Sequence, residues 1–190
     1  MQKATDVEFK SLITKDEYDR LIETFKDISK TDEQTNHYFD TARFSLKALD
    51  TSVKVRERDD LSLTYKNKKG YNVTVKTEII TPEKFKEIKE TGIIDIPEMA
   101  EDITKLIKDQ KLVNFMSVST HRTYLPYLSG ILNIDKTTYL DVTDYEIEYA
   151  TKSFHQGKEE FIQIINDLQI QYKKSDKKIK RAYSRLKEIY

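Results

Sequence analysis

The sequence predicts an α+β fold in which an antiparallel sheet of about eight strands carries amphipathic helices on its apolar face. Two patterns predict it. In about eight segments polar and apolar residues alternate, which is the period of a strand with one buried face. Other segments place apolar residues every three or four positions, as on one side of a helix. At 190 residues, the chain is expected to form a single domain spanning residues 1–190.

The predicted strands follow one another closely, and several are joined by short turns. Asp59-Asp60 and Lys69-Gly70 are turn signals that make neighbouring strands into hairpins. Residues 29–34 are polar without alternation and are expected to form a loop, and residues 42–49 a short linker. The predicted strands are 6–10, 35–41, 52–58, 61–68, 72–79, 114–125, 130–135 and 144–149.

Two helix starts have clear sequence signals. Thr14 followed three residues later by Glu17 is a capping box. Thr81 is a cap residue, and Pro82 suits the first helical position because it needs no backbone N–H there. The predicted helical segments are 15–28, a region from 82 that breaks near Gly92, 97–108, 158–168 and 175–190.

The composition excludes several classes of site. The chain has no cysteine, so disulfides, thiolate metal sites and a cysteine nucleophile are excluded. Its 4 glycines form no phosphate-binding loop, so phosphate recognition would depend on side chains. Lys+Arg and Asp+Glu both total 33, which gives no overall attraction to nucleic acid or membrane. With no apolar run at the N-terminus or elsewhere, we expect a cytoplasmic protein without a membrane span.

Charge is segregated by strand. Acidic residues dominate the first and last strands, whereas basic residues dominate the middle ones, with apolar residues such as Val53, Leu63, Val73 and Val75 on the opposite face. If the sheet closes, the first and last strands meet and their carboxylates converge. Such a cluster repels itself unless divalent cations neutralise it. Acid-bound Mg²⁺ or Mn²⁺ facing lysines and arginines suits a polyphosphate ligand.

The same residues resemble those of the CYTH superfamily, also called triphosphate tunnel metalloenzymes. The family begins with E-x-E-x-K, which reads Asp6-x-Glu8-x-Lys10 here, so that one ligand arm is shorter by a methylene. The other matching residues are, in order, Tyr38-Phe39-Asp40-Thr41, Arg56 with Arg58, Lys66, Lys76 with Glu78, Arg122, Asp135, and Glu146 with Glu148. The chain is most similar to the short single-domain bacterial branch, and the resemblance implies an eight-stranded antiparallel β-barrel that forms a charged tunnel.

The resemblance also implies a role for each residue. The implied metal ligands are Asp6, Glu8, Glu146 and Glu148, supported by Glu78 and Asp135. The implied phosphate-binding residues are Lys10, Arg56, Arg58, Lys76 and Arg122. Lys66 beside Tyr38 resembles the pair proposed to activate the hydrolytic water in thiamine triphosphatases. Lys177, Lys178 and Arg181 are the candidates for the family's C-terminal basic residue.

We therefore expect an Mg²⁺- or Mn²⁺-dependent triphosphatase, with inorganic triphosphate cleaved to pyrophosphate and phosphate as the first candidate reaction. The alternatives are a thiamine or nucleoside triphosphatase, an adenylate cyclase, and a non-catalytic polyphosphate or nucleotide sensor. The expected partner is a small-molecule triphosphate, with neither membrane nor nucleic acid, and the protein is expected to be a monomer or homodimer. The basic stretch 173–187 is interpreted as a solvated helix face, with an RNA contact as the alternative.

Overall fold

The structure is a computed structural model, and it describes residues 7–189. The strands are β1 (Val7–Ile13), β2 (Lys30–Thr41), β3 (Thr51–Glu57), β4 (Leu61–Lys69), β5 (Asn72–Ile80), β6 (Leu112–Tyr127), β7 (Gly130–Tyr139) and β8 (Val142–Thr151). The helices are α1 (Lys15–Phe25), α2 (Ser45–Ala48), α3 (Pro82–Thr91), α4 (Pro97–Ile107), α5 (Phe154–Asp167) and α6 (Lys178–Ile189). In this part of the chain, no helix has the length and apolar character that a bilayer crossing requires.

The strands form one antiparallel sheet in the order β1-β8-β7-β6-β2-β3-β4-β5. The first strand pairs with the last, so that Lys10 lies directly opposite Glu148. β7 pairs with the other edge of β8, and β2, β3, β4 and β5 pair in succession. The predicted fold class is confirmed, and so is the expectation that the first and last strands meet.

The chain divides into two compact units. The first unit combines the chain up to Glu33 with the chain from Ser119, and the second runs from Gln34 to Val118. Each unit has a hydrophobic core of its own between strands and helices. Core residues of the first unit include Leu21, Phe25, Leu132, Ile134, Ile147, Tyr149, Phe161 and Ile164. Those of the second include Phe39, Val53, Val55, Leu63, Tyr65, Phe85, Ile88, Met99 and Ile103.

Both predicted helix starts are confirmed. The Thr14 hydroxyl accepts a hydrogen bond from the Glu17 backbone N–H at 3.2 Å, and the Glu17 carboxylate accepts one from the Thr14 N–H at 2.7 Å. α3 begins at Pro82 and ends before Gly92, whose φ of 68° is one that glycine tolerates best. α1 is shorter than predicted, because the apolar spacing included Ile28, which is exposed and adds no burial.

The loop predicted at residues 29–34 is wrong, since β2 already begins at Lys30. The segment is polar on both faces, so alternation gives no signal for a strand. A contact in the first unit accompanies this extension: His121 of β6 lies 3.0 Å from the Glu33 carboxylate of β2. The amino-acid composition of a segment does not show such contacts between strands, and for this reason residues 29–34 were predicted as a loop.

The predicted faces of β5 are also wrong. Val75 lies opposite Lys66, and Val73 opposite Lys68, so the two valines share the polar face of β4 and are 56% and 51% exposed. Residues directly opposite in a sheet share a face. Lys76 and Glu78, placed by alternation with the polar face, lie instead on the face shared with Tyr65 and Leu63 of β4.

Candidate active site

Three buried carboxylates converge in the first unit. Asp135 on β7 lies directly opposite Glu146 on β8, and Glu148 follows two residues along the same face. Each offers an oxygen within 4.8 Å of the others, and the residues are only 0%, 1% and 5% exposed. We call these three residues the acidic cluster. Opposed like charges destabilise a sheet, so this arrangement requires compensating cations.

Arg122 on β6 supplies part of that compensation. Its Nε and Nη2 donate to the two Asp135 oxygens at 2.8 and 2.7 Å, and Nη2 also donates to Glu148 at 3.2 Å. Two parallel hydrogen bonds between a guanidinium and a carboxylate fix the orientation of both groups. Arg122 therefore holds two members of the acidic cluster in place at once.

The first strand reaches the same cluster through Lys10. Its ammonium group donates to Glu148 at 2.7 Å and lies 3.0 Å from the Glu8 carboxylate. The Glu8 side chain is 46% exposed and borders the buried carboxylates. Asp6, the remaining predicted ligand of this strand, lies outside the described residues.

Two of the three C-terminal candidates contact the acidic cluster. Lys178 donates to Asp135 at 2.8 Å and also to Glu146. Arg181 donates to Glu146 at 2.8 Å and to Asp144 at 2.7 Å. Lys177, the third candidate, is exposed. The basic side chains of α6 are thus turned in part towards carboxylates of β7 and β8.

Two further participants, Asp144 and Ser175, were not among the predicted site residues. Asp144 lies two residues before Glu146, so the alternation that selected Glu146 and Glu148 also places Asp144 on their face. Ser175 donates to Glu146 at 2.8 Å from the segment before α6, and no pattern in the sequence marks it. Among the described residues, Arg181 Nη2 is a buried side-chain nitrogen that lacks a hydrogen-bond partner.

The cations keep the buried Asp135 and Glu146 side chains ionised. Burial alone would raise the pKa of Asp135, but the Arg122 hydrogen bond and the Lys178 charge hold it below its usual value. Burial likewise opposes ionisation of Glu146, and the Lys178 and Arg181 charges lower its pKa overall. Asp135 and Glu146 are therefore carboxylates and not carboxylic acids.

The donor set of the acidic cluster fits a hard divalent cation. It offers carboxylate oxygens only, which Mg²⁺ and Mn²⁺ prefer, and its ligand atoms lie close enough to share an ion. Among residues 7–189, the surrounding network holds five carboxylates and four cationic side chains. They are Glu8, Asp135, Asp144, Glu146 and Glu148, with Lys10, Arg122, Lys178 and Arg181.

The second unit has a different polar face, which we call the basic face. It is formed by Lys54, Arg56 and Lys66, together with Tyr38 on β2. Tyr38 lies directly opposite Lys54, and burial raises the pKa of its phenol despite the nearby Arg56 charge. Lys66, the predicted catalytic lysine, is exposed on the same face of β4 as Thr64.

Three predicted residues of the second unit lie elsewhere. Lys76 donates to Asp102 at 2.6 Å and to the Glu98 carbonyl at 2.7 Å, so it contacts α4. Glu78 lies opposite Leu63 on the same face as Lys76. Arg58 follows the end of β3 in the turn, where its guanidinium lies 3.7 Å from Asp59. The structure does not bring these three side chains together with Lys54, Arg56 and Lys66.

Asp40 of the Tyr38-Phe39-Asp40-Thr41 motif has a structural role. The buried carboxylate accepts hydrogen bonds from the backbone N–H groups of Thr41, Leu46 and Lys47 at 2.7, 2.9 and 3.0 Å. Leu46 and Lys47 belong to the short helix α2, and Thr41 is the last residue of β2. Asp40 therefore fixes the end of β2, on which Tyr38 is carried.

The family model described as CYTH domain matches residues 4–183. The Bacillus subtilis protein named "Putative triphosphatase YjbK" is 26% identical over 188 residues, with 96% of both chains covered. A crystal structure from Bacillus halodurans, described as "a putative adenylate cyclase", is 27% identical with a TM-score of 0.73, covering 95% of this chain and 98% of its own. HpAC1 from Hippeastrum, described as revealing a dominant triphosphatase activity, is 20% identical with a TM-score of 0.76 over 94% and 95% of the two chains. At that identity the last likeness concerns the fold alone.

Proposed function

The chain belongs to the CYTH family, and from this premise we propose that it is a divalent-metal-dependent triphosphatase. Inorganic triphosphate is the first proposed substrate, cleaved to pyrophosphate and phosphate. The observation that carries the proposal is the buried acidic cluster of Asp135, Glu146 and Glu148 among four cationic side chains. Carboxylates buried this deeply are costly to a fold, so their convergence favours a binding role over a purely structural one.

The acidic cluster is the proposed holder of Mg²⁺ or Mn²⁺, with the partly exposed Glu8 at its border and Asp6 as a further candidate. A divalent cation held there supplies charge neutralisation at phosphate oxygens and makes a bound water more acidic. Glu78, which was predicted with Asp135 to support the metal site, lies opposite Leu63 on the core-facing side of β5. We therefore do not include it in the proposed metal site.

Basic side chains around the acidic cluster are the proposed phosphate ligands. Lys10 and Arg122 each contact Glu148, so both stand where a phosphate near that carboxylate would lie. Arg181, which contacts Glu146 and Asp144, is a further proposed phosphate ligand. In the transition state these donors stabilise negative charge on the transferring phosphoryl group and on the leaving pyrophosphate.

Proton transfer is the remaining part of the proposed reaction. Water attacks the terminal phosphorus, and a base must accept its proton. Lys66 and Tyr38 remain the proposed catalytic pair, with Arg56 as a phosphate-binding residue. Because burial raises its pKa, Tyr38 is neutral near pH 7 and acts as a hydrogen-bond partner and not as a base.

A phosphate-release screen tests the proposal. The purified protein is incubated with tripolyphosphate, thiamine triphosphate or ATP, each with Mg²⁺ or Mn²⁺, beside Glu148→Gln and the exposed control Glu159→Gln. We expect metal-dependent release from tripolyphosphate, a loss of about 100-fold in Glu148→Gln because a ligand charge is gone, and wild-type rates in the control. If neither metal supports release from any triphosphate, the proposed function is wrong.

Cyclisation of a nucleoside triphosphate is the second candidate, favoured by the adenylate cyclase description of the Bacillus halodurans protein. Both reactions break a phosphoric anhydride, but they differ in the nucleophile. Product analysis with ATP separates them: cyclic nucleotide with pyrophosphate indicates a cyclase, and diphosphate with phosphate a hydrolase.

A further inference from the structure

Lys54 occupies a protected place on the basic face of the second unit. It lies on β3 between two neighbouring strands, directly opposite Tyr38 of β2 and Thr64 of β4. Its ammonium group donates to the Asn36 side-chain oxygen at 3.2 Å. Asn36 is itself buried and also accepts a hydrogen bond from Arg56 Nε at 3.4 Å. A single neutral oxygen is thus shared by two cationic side chains.

The groups that face Lys54 add positive charge and no negative charge. Arg56 lies on the same strand, Lys66 on β4, and the neutral groups Tyr38, Asn36 and Thr64 complete the surroundings. Within residues 7–189, Lys54 forms no ion pair with a carboxylate. Burial and the repulsion of Arg56 and Lys66 lower the pKa of Lys54 to about 8. The amino group is therefore partly neutral in mildly alkaline solution.

We propose that Lys54 takes up a proton when a linear polyphosphate binds to the basic face. The inference rests on the proposed triphosphatase function, which supplies the ligand. A polyanion bound next to Lys54 provides the negative charge that no carboxylate of residues 7–189 supplies there. The protonated form of Lys54 is therefore stabilised when the polyanion is bound. Lys54 then acts as a binding residue whose charge is set by the ligand, whereas Arg56 stays charged in both states.

The sign of the pH effect follows from this coupling. Below pH 8 Lys54 is charged before the ligand arrives, and the affinity does not depend on its titration. Above pH 8 each binding event must first recruit a proton, so the affinity falls with rising pH, approaching tenfold per unit, until the pKa of the complex is reached. At pH 8 the complex is expected to take up about half a proton at Lys54.

Calorimetry in buffers of different ionisation enthalpy measures the uptake. Tripolyphosphate is titrated into the full chain at pH 8 in EDTA, so that no metal-dependent hydrolysis occurs. The proton that the ligand itself exchanges is common to all variants. We expect Lys54→Arg to take up about half a proton less than wild type, and the exposed control Lys86→Arg to match wild type. Equal uptake in wild type and Lys54→Arg overturns the inference, as does the absence of binding in EDTA.

A second measurement keeps the test decisive if Lys54→Arg binds poorly. Lysines are dimethylated with ¹³C-formaldehyde, and the Lys54 signal is identified by its loss in Lys54→Arg. Its NMR titration midpoint is expected near pH 8 and should rise when tripolyphosphate is added. A midpoint that does not move overturns the inference. The proposed function is judged separately by metal-dependent phosphate release, so either idea can fail while the other stands.

Discussion

The acidic cluster and the basic face differ in how their charges are neutralised, although both form on strands in which polar and apolar residues alternate. In the acidic cluster every buried carboxylate has a cationic partner within hydrogen-bond distance, supplied by β1, β6 and α6. On the basic face Lys54 and Arg56 share one amide oxygen and repel each other. The charges of the acidic cluster are neutralised within the protein, whereas those of the basic face are neutralised when an anionic ligand binds. Residues of the two regions should therefore respond differently to substitution and to pH.

The largest expected effect is the removal of Arg122 from the balanced region. Arg122→Met leaves Asp135 fully buried and deprives Glu148 of a donor. Breaking a buried ion pair on one side typically costs about 3–5 kcal/mol of unfolding free energy, because the remaining charge stays desolvated. Urea unfolding measures the loss, and phosphate release should disappear with it.

The control for Arg122 is Arg185→Met, which breaks an exposed pair with Asp141. We expect little change in stability, since solvent screens such pairs. Millimolar Mg²⁺ should restore part of the stability of Arg122→Met by replacing the missing positive charge. Equal urea-unfolding midpoints for Arg122→Met and Arg185→Met would contradict the view that the acidic cluster is held together by its buried cations.

An effect of intermediate size is expected for the removal of Lys54. It should raise the free energy of unfolding, whereas the removal of Arg122 lowers it. The pKa of Lys54 is about 8 in the folded protein, against an ordinary value of 10.5. The unfolded chain therefore binds more protons between these values, and stability should rise as the pH increases from 8 towards 10.5. Lys54→Met should stabilise the protein by about 2 kcal/mol at pH 7, after allowing for partial exposure. It should also weaken tripolyphosphate binding.

The measurement is urea unfolding at pH 7, 8 and 9.5. The rise with pH should be present in wild type and absent in Lys54→Met. The acidic cluster gives the reverse dependence: the folded pKa values of Asp135 and Glu146 are lowered, so their contribution is lost in acid as the pH falls through them. A Lys54→Met protein that is less stable than wild type at pH 7 would show that the side chain is not strained by its neighbours.

The sequence could predict the acidic cluster better than the basic face, for a physical reason. Glu146 and Glu148 alternate with apolar residues that enter the core, so strand period and burial agree. On β5 the apolar residues Val73 and Val75 do not enter the core, and alternation assigns the wrong face. Which face of an outer strand is buried depends on its register with β4, and a single sequence does not contain that register. Ser175 was missed for a similar reason, because its contact joins distant segments.

The smallest expected effect is that of replacing Lys76, whose position depends on the register between β4 and β5. Lys76 was predicted from the resemblance to bind phosphate, but its ammonium group contacts Asp102 and the Glu98 carbonyl of α4. Lys76→Met should therefore leave kcat/KM for triphosphate within about twofold of wild type, because a pair this exposed contributes little and touches no phosphate. Asp102→Asn, which breaks the same pair from the other side, is the matched control and should behave alike. If Lys76→Met alone loses activity and tripolyphosphate affinity while Asp102→Asn keeps both, Lys76 turns towards the substrate in the working protein. The face assigned to it by the register with Tyr65 would then not be the one it uses in binding.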